Sequence, residues 1–529
     1  MHVDIAHEIT LPASLKLGDQ VIPIRDQDGK VITLEGKWLL QEGREGEIVE
    51  HATLTQQIQQ QLIDFWKPRW WKDTLPQLAE RDRIVNFAKA YLPSGRLEHV
   101  DISTEAWADI NRRYGPRAAR GPDGIGHHDL RKMPEIFQNE LVDILNQFEQ
   151  CTYWPEVWRT GFVHSLEKKE GATKVNEYRP VIIYSMIYRS WGSLRAQKFL
   201  HFLSKLVDDK QLGFMPGREV AEVWMLLQGL VEVSIQEGEE LMGFVTDIRK
   251  AFESLPRDPI FEIALHLGLP LRPLQLWKHF LSTTERRFMV RGEISEAVLS
   301  NHGFPEGCSL SCVAMLIVGL TLHSYMNEFS KRCDTISYVD NIELLARHLG
   351  SLQHGVLTMQ TWTEMWKLEL DEDKSYLWTT KATGRKEAKV LGWDVVQSAK
   401  DLGAQLLYGK SRNIQVQVQR FAGLETMWPK LKRCVAASWM KQRLLRQALW
   451  PKAFYGVAIC TLGWTHIKGL RTEAMKALGF QMAGASPGLR LSLLCHEQCD
   501  PGFYQVWAVF TTFRRIAAKR PFFVNVWQR

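Results

Sequence analysis

Between residues 160 and 400, short apolar runs of strand length alternate with longer stretches whose apolar positions recur at helical spacing. Upstream, Val21-Ile22-Pro23-Ile24 and Val31-Ile32-Thr33-Leu34 are short alternating segments around an Asp28-Gly29 turn. A helical stretch then runs toward Phe65-Trp66 and Trp70-Trp71. Residues 100–150 read as helical, with Ser103 or Thr104 as cap, interrupted by the turn signal Arg120-Gly121-Pro122-Asp123-Gly124. Beyond residue 410 the pattern is helical and basic, broken at Pro451 and Gly456. The longest near-continuous apolar run, Cys312 to Leu322, falls short of the roughly 18 residues a membrane helix needs and predicts a buried helix. No internal repeat or low-complexity tract interrupts the chain.

Composition adds the scale. A chain of 529 residues with 45% hydrophobic and 24% charged content is foldable and long enough for two to four domains or subdomains. The start, Met1-His2-Val3-Asp4, has neither a basic nor an apolar leader region, so an intracellular protein in nucleus or cytoplasm is expected, not a secreted one. Cys308/Cys312 and Cys495/Cys499 have C-x3-C spacing, but neither has a second ligand pair at zinc-site distance, so free thiols are expected. The net charge of +6 decides little. Its distribution says more: from Lys410 to Lys452 there are ten basic residues against one acid, Glu425, which suits a phosphate backbone as well as a solvated helix face.

The chemistry concentrates in two segments. In Leu241-Met242-Gly243-Phe244-Val245-Thr246-Asp247, an apolar strand delivers one carboxylate at its C-terminal end, and a helical pattern follows. About 90 residues later, Ile336-Ser337-Tyr338-Val339-Asp340-Asn341-Ile342-Glu343-Leu344 reads as two strands joined by a tight turn with Asp340 and Asn341 at its tip. A lone strand-end aspartate is ordinarily a turn or cap residue. Two that converge could hold two Mg²⁺ ions through oxygen ligands, one activating an attacking hydroxyl and the other steadying a leaving pyrophosphate.

These segments resemble reverse transcriptases. Asp247 with Lys250-Ala251-Phe252 resembles their motif A, and Tyr338-Val339-Asp340-Asn341 their Tyr-x-Asp-Asp box with the last aspartate replaced. Gly303-Phe304-Pro305-Glu306-Gly307-Cys308-Ser309-Leu310-Ser311 is similar to motif B, with Glu306 where the family has glutamine. Leu166-Glu167-Lys168-Lys169, Tyr178-Arg179-Pro180, Ala119 to Gly124 and Gln211-Leu212-Gly213-Phe214-Met215-Pro216-Gly217-Arg218 resemble the fingers motifs. Leu370-Asp371-Glu372-Asp373-Lys374 resembles motif D, and Val390-Leu391-Gly392-Trp393 the primer-grip strand. Each is weak singly; counting Leu166 to Lys169 with the Tyr178 to Pro180 that follows as one, eight in the family's order over roughly 300 residues are strong. The flavour is that of non-LTR (LINE-type) retrotransposons.

The resemblance implies an α+β right hand: an N-terminal extension over 1–99, fingers and a palm with an antiparallel sheet over 100–400, and a helical basic thumb and C-terminal region over 401–529. It implies an RNA-directed DNA polymerase that extends a DNA primer on an RNA template with dNTPs. Asp247 and Asp340 would hold two Mg²⁺ (or Mn²⁺) ions, with Asn341 completing the catalytic turn. Lys168 and Arg179 would grip the triphosphate, Gly307 would let the backbone approach template or nucleotide, and Lys374 would protonate the leaving pyrophosphate. Phe252 occupies the sugar-gate position, where a bulky ring excludes a 2′-hydroxyl and argues against an RNA-dependent RNA polymerase. Asn341 removes one negative charge from the metal site, so a catalytically impaired nucleic-acid-binding protein is the alternative. No endonuclease is legible: either the sequence is a fragment or has lost its partner domains, or a separate endonuclease acts with it; no membrane partner is expected.

Overall fold

The computed structural model describes residues 55–73, 78–115, 117–169, 171–409, 413–480, 484 and 486–520, together with the short strands Leu15–Leu17, Gln20–Ile22, Leu39–Leu40 and His51–Ala52. The Asp28-Gly29 turn and the Val31 to Leu34 segment lie outside the described residues. The chain forms two compact units that interleave: Met1–Leu203 with Lys250–Ile317, and Ser204–Arg249 with Val318–Arg529.

The first unit is built on a four-stranded sheet in the order Tyr178–Tyr184, Thr160–Glu167, Glu285–Val290, Glu293–Ile294. The central pair, Thr160–Glu167 with Glu285–Val290, is parallel, and the outer pairs are antiparallel. The helix expected to run to Trp70 is present as Thr55–Trp70, with Ile58, Leu62, Ile63, Trp66 and Trp70 buried at helical spacing. Ser103 caps helix Thr104–Arg113 by accepting from Ala106 N. Gly124 closes its turn by donating N–H to Gly121 O at 3.0 Å. The core is aromatic: Trp154, Tyr184, Tyr188, Trp191 and Phe280 pack together, with Tyr188 stacked on Phe280 at 3.5 Å between ring centroids. Two buried arginines sit in it with full hydrogen bonding, as burial of charge requires. Arg195 grips Glu149 through two bonds of 2.6 Å. Arg257 donates to the carbonyls of Gly303, Leu281, Ser300 and His302, fixing the chain ahead of the motif-B segment.

The second unit holds a five-stranded sheet in the order Asp334–Tyr338, Asn341–Ala346, Met242–Asp247, Tyr376–Thr379, Val395–Val396. Its pairs are antiparallel except the last, which is parallel, so the expected antiparallel palm sheet carries one parallel edge. The primer-grip strand read at Val390 to Trp393 is displaced: Lys389–Leu391 is a 3₁₀ turn ended by left-handed Gly392, and the strand is Val395–Val396. Residues paired across antiparallel strands share a face. Val245, Ile336, Leu345 and Trp378 therefore line one face, packed with helix Val220–Glu237 and the hairpin Ser398–Asp401/Ala404–Leu407. Phe244, Ile342, Leu344 and Leu377 line the other, where helix Leu349–Trp366 packs. Beyond the hairpin, short helices enclose a separate core of Leu424, Trp428, Leu445, Trp450, Phe454 and Leu478. The apolar run from Cys312 lies in helix Ser311–Phe329, which is long and apolar enough to cross a membrane by composition but is mostly buried.

Candidate active site

Motif A and the altered box meet because strand Met242–Asp247 pairs antiparallel with Asn341–Ala346, setting Asp247 directly opposite Asn341. Directly opposed Cα atoms in such a ladder lie about 4.5–5.5 Å apart. Asp340, one residue earlier, is drawn to the same corner because Ile248 N donates to Asp340 O at 3.0 Å. Both aspartates keep part of their surface exposed at the strand ends.

The tip of the turn differs from the expected one. Tyr338 pairs with Asn341, so Val339 and Asp340 form the two-residue loop and Asn341 already belongs to the second strand. Val339 has φ +63 and Asp340 has no positive φ, so the first loop position takes a conformation normally left to glycine. A β-branched residue there is strained, and the surrounding chain holds it. Leu212 N donates to Ser337 O at 2.8 Å and Ser337 N to Lys210 O at 3.1 Å, so the Gln211 to Phe214 motif runs alongside the hairpin. A Cβ on Gly213 would fall 2.2 Å from Val339 N, which is why this motif requires glycine. His323 Nε2 meets Ser337 Oγ at 2.8 Å from the other side.

Lys374 reaches this corner from the 3₁₀ turn Glu372–Lys374. Its Nζ lies 3.1 Å from Asp247 Oδ2 and 3.2 Å from Asp371 Oδ2. Partial burial works to lower its pKa and is outweighed by the two carboxylates, which hold it above the ordinary lysine value. The backbone supports the placement: Asp371 N donates to Asp247 O at 2.8 Å.

Asn341 turns inward. Its Nδ2 donates to Asp401 Oδ1 at 2.8 Å, and its Oδ1 is buried without a hydrogen-bond donor among the described residues. Glu343, on the same face two residues on, is 1% exposed. Burial, then the charge and hydrogen bond of Asp401, push its pKa well above the carboxylate range. Asp401 is itself raised by burial, against hydrogen bonds from Glu343 and Asn341. Burial and the neighbouring Asp401 charge both act against a charged Glu343. Tyr376 and Tyr408, whose hydroxyls are 3.1 Å apart, adjoin the pair and are raised by burial and its charge. Asp401 carries no sequence signal: Asp401-Leu402-Gly403 reads only as a hairpin turn.

The remaining candidates belong to the first unit. Lys168 and Arg179 sit at one end of the strand pair Thr160–Glu167/Tyr178–Tyr184. Lys168 Nζ donates to Asn176 O at 2.9 Å, and Arg179 lies 3.3 Å from Glu306. Burial raises the Glu306 pKa, and Arg179 and Lys168 oppose the rise. Gly307 is not an ordinary helix-start glycine, since the helix begins at Ser311. It has φ +104 and a Cβ would lie 2.5 Å from Ile182 O, so its close approach is to this chain's own strand. Phe252 is half-buried in the short helix Ala251–Ser254. Next to it, Glu253 is buried, and burial with the charge of Glu306 raises its pKa to about 7.

A divalent cation suits the Asp247 corner, where a carboxylate oxygen already holds the cationic Lys374. Among the described residues no three His, Cys, Asp or Glu side chains form a ready-made metal cage. Mg²⁺ characteristically uses one or two carboxylates and completes its shell with water and substrate phosphates, so two aspartates are a sufficient protein share.

Comparison with known proteins agrees with this geometry. Residues 166–395 match the family described as reverse transcriptase (RNA-dependent DNA polymerase). The chain is 22% identical over 389 residues to the Drosophila melanogaster retrovirus-related Pol polyprotein from type-2 retrotransposable element R2DM, covering 69% of this chain and 36% of that protein. It is 22% identical over 288 residues to the Drosophila melanogaster RNA-directed DNA polymerase from mobile element jockey, covering 52% of this chain and 31% of that protein. The chain thus spans about a third of the length of these relatives. It carries a reverse transcriptase domain and is homologous to the polymerases of the R2 and jockey non-LTR retrotransposons.

Proposed function

We propose that this protein copies RNA into DNA, extending a primer 3′-hydroxyl with dNTPs. The observation that carries the reading is the register of Asp247 opposite Asn341, which brings Asp340 to the same strand-end corner. The hydroxyl oxygen attacks the α-phosphorus in line, the new phosphodiester forms, and the bond to pyrophosphate breaks. Held by Asp247 and Asp340, two Mg²⁺ ions would supply acidification of the hydroxyl and neutralisation of the leaving charge. Lys374, kept protonated by its carboxylate neighbours, has a proton to give the departing pyrophosphate. Arg179 and Lys168 are assigned to the triphosphate and Phe252 to exclusion of the ribose 2′-hydroxyl. The exposed Lys430, Lys432, Arg433, Arg443 and Lys452 are assigned to the template–primer backbone.

Primer extension with Mg²⁺ and with Mn²⁺, alongside Asp247→Ala, tests the reading. Extension that disappears in the variant supports it; wild-type protein that binds RNA tightly and extends nothing favours the second reading, a nucleic-acid-binding descendant without catalysis. That alternative draws on one observation: the Asn341 amide faces Asp401 instead of the Asp247 corner. No target cleavage is expected of these 529 residues alone, and plasmid nicking by the purified protein, lost on mutation, would overturn this.

A further inference from the structure

The hydrogen bond between Asn341 and Asp401 joins two sheets. Asn341 opens strand Asn341–Ala346, next to the central strand of the five-stranded sheet, and Asp401 ends the strand Ser398–Asp401 of the neighbouring hairpin. Both side chains are out of water, at 8% and 5% exposed. The titratable groups facing the pair are Glu343 on its own strand, Asp247 opposite, and the phenols Tyr376 and Tyr408; the cation Lys374 is engaged by Asp247, and among the described residues no cation pairs with Asp401 itself. The orphaned Asn341 Oδ1 adds that position 341 has no donor waiting for another acceptor oxygen among the described residues. An aspartate here would place two carboxylates at hydrogen-bond distance with Glu343 as a third acid, where burial makes like charge most costly.

We propose that Asp401 is what makes asparagine the working residue at 341. Asn341 is a positioning residue whose amide ties the Ser398–Leu407 hairpin to the catalytic sheet, and the carboxylate of the pair is carried by Asp401 instead of by the turn. The Tyr-Val-Asp-Asn box is then a matched variant, not a damaged one, and restoring aspartate alone harms the protein. The inference rests on the polymerase reading only where activity is measured.

The test is a double-mutant cycle in the full chain: Asn341→Asp, Asp401→Asn and both together, followed by thermal unfolding and by primer extension. N341D is expected to lower Tm by about 5 °C or more. The double variant exchanges donor and acceptor and recovers most of the loss. Extension is expected to fall about tenfold in N341D and return to within about threefold of wild type in the double variant. A double variant no better than N341D shows no coupling and overturns the proposal. If N341D yields no folded protein, a folded double variant supports the proposal, and an unfolded one beside folded D401N overturns it. Wild-type protein that extends no primer sinks the polymerase reading, while the thermal cycle still decides the pairing.

Discussion

Lys374 Nζ stands 3.1 Å from Asp247 Oδ2, so the carboxylate assigned to metal is already engaged by a cation of its own chain. Metal and ammonium therefore compete for the same oxygen. Lys374→Ala is expected to lower extension at saturating Mg²⁺ about tenfold, the low end of what a lost general acid costs, and to lower the half-saturating Mg²⁺ concentration about twofold. An unchanged half-saturation point would remove the competition. Because the folded-state pKa is raised, the pair's stabilisation is fully present below the unfolded lysine value of about 10.4 and is lost only as pH climbs through the higher folded value. Any effect of the variant on Tm is thus level between pH 6 and 9.

Gly213 supports the catalytic hairpin by lying flat against it. Its Cβ position falls 2.2 Å from the Val339 backbone nitrogen, an atom that cannot move without moving the turn. Gly213→Ala is expected to cost about 1–3 kcal/mol, as overpacking does, and to depress extension more than a surface variant of equal stability. A wild-type Tm for this variant would show that the hairpin tolerates displacement.

Glu253 makes stability depend on pH. Burial and the charge of Glu306 raise its folded pKa to about 7 from 4.5, so the folded state holds a proton the unfolded chain has released. Stability then falls as pH rises from about 4.5 to about 7 and levels off above. Glu253→Gln is expected to flatten that fall and to raise Tm at pH 8; parallel curves for variant and wild type from pH 5 to 8 would refute the assignment.

Phe252 supplies a specificity prediction. Replacing the ring with alanine opens space at the position assigned to the sugar gate, and incorporation of NTPs relative to dNTPs is expected to rise at least tenfold. An unchanged ratio would leave Phe252 a packing residue.

In the C-terminal helices, Lys430, Lys432 and Arg433 are exposed, and no carboxylate pairs with them among the described residues. Replacing all three with alanine is expected to weaken binding to an RNA–DNA duplex and to reduce the slope of log K against log salt by about 2–3, roughly 0.9 per lost phosphate contact on a duplex. A slope that stays put means these residues face solvent only.

How far the site could be read in advance depended on whether a residue's role is local. Ser103 was legible as a cap because a cap involves only the next turn of helix. The turn tip was misplaced by one residue: Asp340-Asn341 is the more turn-prone pair, whereas Val339 holds a left-handed conformation that its own type disfavours. What overrides that preference is the segment from Lys210 to Gly213, more than a hundred residues away in the chain. Asp401 was invisible for the same reason, since its partners Asn341 and Glu343 lie some sixty residues upstream.

The order and spacing of motifs along the chain determined the family and the polymerase reading, because each motif is a short contiguous run whose identity survives without knowledge of its neighbours. The alternation of apolar runs likewise determined which segments are strands and which are helices, since side-chain period follows from backbone geometry. Only the tertiary structure decided that Asp247 faces Asn341, that Lys374 reaches the Asp247 carboxylate, and that Asn341 answers to Asp401. Those relations arise from strand register and from burial of charge, and both are set by distant parts of the chain closing on one another.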